Sequence, residues 1–206
     1  MANISQKTII LLLSAYPLIY PFPGIGQYNP ELREHPVSEE SLVSQGGYGA
    51  WSSFESKYCT IYLEPGVDAR RVQRRLNQRS FYTYASSRPD RSASDDEKIA
   101  YRMDILLERA KDILGIYPPR MNLKIKIFRT RQELNDEFTR IVKRVEGIRS
   151  FYVHQQETIY LSEPDLSDSI LAHEMGHAIV DHYFQVVPPA KLGEMIAQYV
   201  DLHLED

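Results

Sequence analysis

The stretch that most constrains this chain is Leu171-Ala172-His173-Glu174-Met175-Gly176-His177-Ala178, where two histidines four residues apart enclose a glutamate. On a helix, positions i and i+4 share a face, so the imidazoles of His173 and His177 can converge on one metal ion with Glu174 beside them. A catalytic zinc needs neutral nitrogen donors and a coordination position left open to water, and an adjacent carboxylate can remove that water's proton. The neighbours Ile170, Leu171, Ala172, Ala178, Ile179 and Val180 are apolar or small, as a buried helix requires. On a helical wheel Ala172, Gly176, Ile179 and Tyr183 gather on one flank, and Leu171, Met175, Ala178 and His182 lie opposite His173. His173, Glu174, His177 and Asp181 share the remaining sector.

A zinc site held by protein needs a third donor, sought downstream of His177. The pattern HExxHxxGxxH fails, because Val180 and Tyr183 occupy its glycine and last-histidine positions. His182 is close in sequence but points away from His173 on the wheel. After Pro188-Pro189, Lys191 to Val200 reads as a helix with Leu192, Met195, Ile196, Tyr199 and Val200 on one side and Glu194, Gln198 and Asp201 on the other. Glu194 is the acidic residue placed to face the first helix; read blandly, it is a solvated helix glutamate.

His173 to Asp181 followed by Glu194-Met195-Ile196-Ala197-Gln198-Tyr199-Val200 resembles the gluzincin metallopeptidases, the small peptidase-MA-like proteins in particular. The resemblance is specific over Thr158 to Asp201; from Tyr58 to Phe138 it is only an order of elements. It implies an α+β, zincin-like fold: a small mixed sheet whose edge strand packs on the active-site helix, with a second, glutamate-bearing helix. It implies one zinc ion held by His173, His177 and Glu194, with Glu174 as general base in peptide-bond hydrolysis. It also implies a peptide or protein substrate lying along an edge strand, Thr158 to Leu161. Family members commonly carry an aspartate four residues after the ligand glutamate to orient a histidine. Gln198 stands there, which leaves Asp201 or Asp181 for that role. An oxyanion donor is left open among Tyr152, Tyr160, Tyr199 and His203. The other functional class is a zinc-binding assembly factor that holds peptides with little or no turnover; a domain without metal is the third.

The remaining chain frames these readings. With a net charge of −4 and no basic stripe, nucleic acid is not an expected partner. The one cysteine, Cys59, excludes an internal disulfide and reads as a small core residue. Residues 1–26 read as a signal peptide: a short start ending at Lys7, an apolar run from Thr8 to Tyr20, and the small residues Gly24 and Gly26 as a cleavage site, with cleavage near Ala15 the alternative. The expected location is therefore exported, periplasmic or secreted; if that segment is uncleaved, it anchors an outward-facing domain to the membrane. Residues 27–53, broken by Pro30, Pro36, Gly46, Gly47 and Gly49, read as a linker or arm, and 54–206 as the catalytic domain.

Within the domain, Lys57 to Leu63 alternates as a strand and Asp68 to Asn77 reads as a short basic helix. A polar loop is expected from Ser86 to Ser92. Ser94-Asp95-Asp96-Glu97 is a capping box opening a long helix that ends at Gly115. Leu123 to Ile127 is a second strand, Arg131 to Arg144 a charged helix closed by Gly147, and Ser150 to His154 with Thr158 to Leu161 a hairpin. Ser162 or Ser167 caps the metal helix, with Pro164 near its first turn.

Overall fold

The computed structural model describes residues 50–76, 90, 92–143, 147–186 and 188–204. The expected signal segment, most of the arm and most of the loop from Ser86 to Ser92 lie outside them. Five strands form one sheet: β1 (Ser52–Glu55), β2 (Cys59–Leu63), β3 (Leu123–Phe128), β4 (Ser150–Val153) and β5 (Thr158–Ser162), in the order β1-β2-β3-β5-β4. β2, β3 and β5 run parallel, and β1 and β4 flank them antiparallel. Among the described residues five α-helices accompany the sheet: α1 (Ala69–Arg75), α2 (Asp95–Leu114), α3 (Arg131–Val142), α4 (Asp168–Tyr183) and α5 (Ala190–Leu202). The architecture is mixed α+β, as expected.

Local chemistry sets the element boundaries. In α2 the Ser94 side chain accepts from the Glu97 amide while Glu97 reaches back to the Ser94 amide, and Gly115 closes the helix at φ +62°. α3 opens on the same device, built from Thr130 and Glu133. Its end differs from expectation, since Lys143 adopts the left-handed conformation at φ 61° and stops the helix before Gly147. β1 also begins inside the expected arm; its residues are mostly exposed, so no apolar alternation announced it.

Strand alternation sorts side chains onto two faces. Cys59, Ile61, Leu63, Leu123, Ile125, Ile127, Tyr152, Ile159 and Leu161 join the main core with α2, α4 and α5. Cys59 is buried there, and burial pushes its thiol up to about 12, so it behaves as an inert core group. On the opposite face Phe128, Phe151, Val153 and Tyr160 pack beneath Leu134 and Phe138 of α3. α4 is enclosed by α5, α2 and β4.

The edge strand is a correction. Thr158 to Leu161 is interior: β5 pairs with β3 on one side and β4 on the other, so both of its backbone edges are already used. The strand at the sheet margin packed against α4 is β4.

Candidate metal centre

α4 starts at Ser167, whose hydroxyl accepts from the Ile170 amide at 3.2 Å; of the two serines considered, this is the cap. Pro164 belongs to a separate 3-10 turn, Glu163–Asp165, ahead of the helix. Every residue from Leu171 to Asp181 is buried, because the helix has neighbours on all sides. The Arg102 guanidinium of α2 pairs with Asp168 and fixes the start of α4.

The approach of α5 depends on Gly176. A Cβ built there would stand 3.1 Å from Ala197 Cα and 3.3 Å from Val200 Cγ2, so only glycine lets the second helix come this close. α5 consequently buries a small-residue face of Gly193, Ile196, Ala197 and Val200, and leaves Leu192, Met195 and Tyr199 half-buried rather than central as the apolar pattern suggested. Asp201 accepts from the Ser169 hydroxyl and ties the far ends of the two helices together.

That register brings Glu194 to the histidines. Its Oε2 lies 3.6 Å from His173 Nε2 and its Oε1 3.4 Å from His177 Nε2, while the two imidazole rings sit 4.9 Å apart at 79°. One donor atom from each of the three residues falls within 4.8 Å of the others, a group that could hold a metal ion. Glu194, with a quarter of its side chain exposed, is the solvent-facing member, and the histidines are buried. Both ring nitrogens of His173 are buried without a hydrogen-bond partner among the described residues. Buried polar atoms are rarely left so, and a cation bound at the convergence point would give His173 Nε2 a partner.

Glu174 stands beside this trio, fully buried. The Ser150 hydroxyl of β4 donates to its Oε1 at 2.6 Å, and its Oε2 has no hydrogen-bond partner among the described residues. Burial pushes the Glu174 carboxyl up to about 7; the Glu194 charge adds to this, while His173 and the Ser150 hydroxyl pull against it. A carboxyl tuned near neutrality is matched to taking and returning a proton.

The residues left open in the sequence now separate. Tyr160 lies on the far face of the sheet, its ring stacked on Phe151 at 4.6 Å, which removes it from the metal side. His203 Nδ1 donates to the Tyr199 carbonyl at 2.9 Å and its ring packs on Tyr199 at 4.0 Å. The His203 carbonyl in turn accepts from Arg109 of α2. Tyr152 shares the strand face of Ser150. His182 Nδ1 donates to the Ala178 carbonyl at 2.8 Å and its Nε2 lies 3.4 Å from Glu157, apart from the trio. Of the carboxylates considered for orienting a histidine, Asp201 meets Ser169, and Asp181 lies 2.9 Å from His154 Nδ1.

Ser150 and His154 were not singled out in the sequence. The signal for Ser150 is its period-of-two spacing with Tyr152, which puts both on the side of β4 that faces α4, whereas His154 follows in a 3-10 turn and reaches Asp181 of α4 from there. Comparisons with protein-family models, with curated proteins and with solved structures give no match for this chain.

Proposed function

We propose that this chain is a zinc-dependent peptidase of gluzincin type, with His173, His177 and Glu194 as metal ligands and Glu174 as general base. The observation that carries the reading is the convergence of two imidazole nitrogens and a carboxylate within 4.8 Å, beside a buried carboxyl raised to about 7. Two nitrogen donors and one oxygen donor suit zinc and leave a coordination position free. Bound zinc would supply a Lewis acid and lower the pKa of its water.

The chain's own groups do the rest. Glu174 takes a proton from the attacking water and returns it to the leaving amine nitrogen, so one residue serves both halves of the reaction. Burial of His173, His177 and Glu174 keeps bulk water from their side chains, which strengthens each charge interaction there. β4 is the outermost strand on this side of the sheet among the described residues, and it is the strand next to Glu174 along which an extended peptide would lie. Export belongs to the same reading and rests on residues 1–26; among the described residues no helix is long and apolar enough to cross a membrane.

The test is metal analysis of the purified protein together with hydrolysis of a mixed peptide library, for wild type and Glu174→Gln. Stoichiometric zinc in both proteins is expected, with the variant's hydrolysis reduced by about 10²- to 10⁴-fold. A wild type without zinc, or a variant that cleaves normally, would overturn the assignment. Intact mass of the exported protein checks that residues 1 to about 26 are removed.

A further inference from the structure

A carboxylate has two oxygens, and a general base works best when only one of them is open to the proton it must carry. In Glu174 the two are already different. Oε1 accepts from Ser150 Oγ at 2.6 Å, while Oε2 is buried with no hydrogen-bond partner among the described residues. An ionised carboxylate only accepts, so the hydroxyl of Ser150 is the donor. Ser150 is itself held rigidly: it is completely buried, opens β4, and stands in register opposite Leu161 of β5. Its side chain has one rotatable bond before the hydroxyl oxygen, so little freedom remains between the sheet and the carboxylate.

We propose that Ser150 is a positioning residue for Glu174, fixing the plane of the carboxylate through Oε1 and reserving Oε2 as the oxygen that carries the proton. The proposal rests on the peptidase reading, under which Glu174 is the base. It adds a coupling. Ser150 belongs to the strand whose outer edge would take the substrate backbone, so the residue that aligns the peptide bond and the residue that aligns the base share one rigid element. Misplacing a reacting group by about 1 Å can cost 10²-fold in rate, which sets the scale of the expected effect.

Wild type, Ser150→Ala and Ser150→Thr are compared with zinc content, kcat and KM measured separately, and with the carboxyl infrared band of Glu174 recorded on zinc-free protein by difference from Glu174→Gln. Ser150→Ala should keep its zinc and a KM within about twofold, lose about 10- to 100-fold in kcat, and shift the infrared band as Oε1 loses its donor. Ser150→Thr retains the hydroxyl and should recover both kcat and the band. If the threonine variant does not fold, the infrared band of Ser150→Ala decides alone. An unmoved band, or an unchanged kcat in Ser150→Ala alongside an active wild type, sinks the positioning role and leaves the peptidase reading standing. A wild type that cleaves no peptide ends the peptidase reading and this proposal with it.

Discussion

The two faces of the sheet treat buried polar groups in opposite ways. Under α3, Glu137 is buried but holds Arg140 through two contacts of 2.7 Å. Lys126, also buried, lays its ammonium 5.5 Å from the Trp51 ring and 5.8 Å from that of Tyr160. Along α4, both nitrogens of His173 and one oxygen of Glu174 are buried with no hydrogen-bond partner among the described residues. An unsatisfied buried group costs about 1–3 kcal/mol, so polar contacts completed in one layer and left open in the other are what the proposed metal site in the second layer would produce. The lesson is that burial alone does not mark a site; unpartnered buried groups beside converging donors are the sharper mark.

The strongest way to break this comparison is Glu194→Ala. Removal of the anionic donor should weaken zinc binding by about 100-fold or more, whereas His182→Ala and His203→Ala should bind as wild type does, since neither side chain joins the trio. Competition against a chromophoric chelator measures it, and normal affinity in the Glu194 variant together with loss in either histidine variant would show the ligand set to be wrong.

On the opposite face, Glu137→Ala should cost about 2 kcal/mol of stability, less than a fully buried pair because Arg140 is 40% exposed, and should leave zinc content untouched. Denaturant unfolding and metal analysis of one preparation read both. A change in zinc content would mean that the two layers are not independent.

A finer test is Gly176→Ala. Alanine is favoured over glycine in a helix by about 1 kcal/mol, which offsets part of the crowding against Ala197, so apo-protein stability should change little. The shift forced on α5 should nevertheless weaken zinc binding by about tenfold, because metal sites tolerate only small errors in ligand distance. Equal affinity for wild type and variant would show that Glu194 does not depend on this close approach.

The smallest effect concerns Glu64, which sharpens the comparison by being strained even though partnered. The Arg129 amide donates to its Oε2 at 2.8 Å, yet burial pushes the carboxyl up to about 7, with Glu133 nearby adding to the shift. A carboxyl raised in the folded state contributes most below its unfolded value near 4.5, and that contribution is lost as pH rises through 7. Stability of Glu64→Gln relative to wild type should therefore increase between pH 5 and pH 8. A flat difference across that window would mean the folded carboxyl is not raised.

How much of this was legible depends on how local each signal is. α2 could be read because Ser94, Glu97 and Gly115 write its two ends and Ile99, Met103, Leu106 and Leu107 its buried stripe. The trio could be read because His173 and His177 lie one turn apart and Glu194 follows on the adjacent helix. The sheet order could not: β3 is inserted between β2 and β5, a choice made by parallel pairing over long separations, and it turns Thr158–Ser162 from an edge into an interior strand. The inward face of α5 was hidden for a related reason, since Gly176 belongs to the partner helix and has no apolar signature. Tyr160 was readable in hindsight, as it alternates with Ile159 and Leu161 and so must face away from them.

The shortness of β4 has a consequence for solubility. A strand at the margin of a sheet is a template for any extended chain, including the same strand of another molecule, and long flat margins promote association into ordered aggregates. Here the margin is four residues long, its side chains are buried, and a 3-10 turn at His154–Gln156 bends the chain away immediately afterwards. Two copies meeting there edge to edge would gain only a few main-chain bonds and no side-chain zipper, so the strand beside α4 gives little purchase for polymerisation.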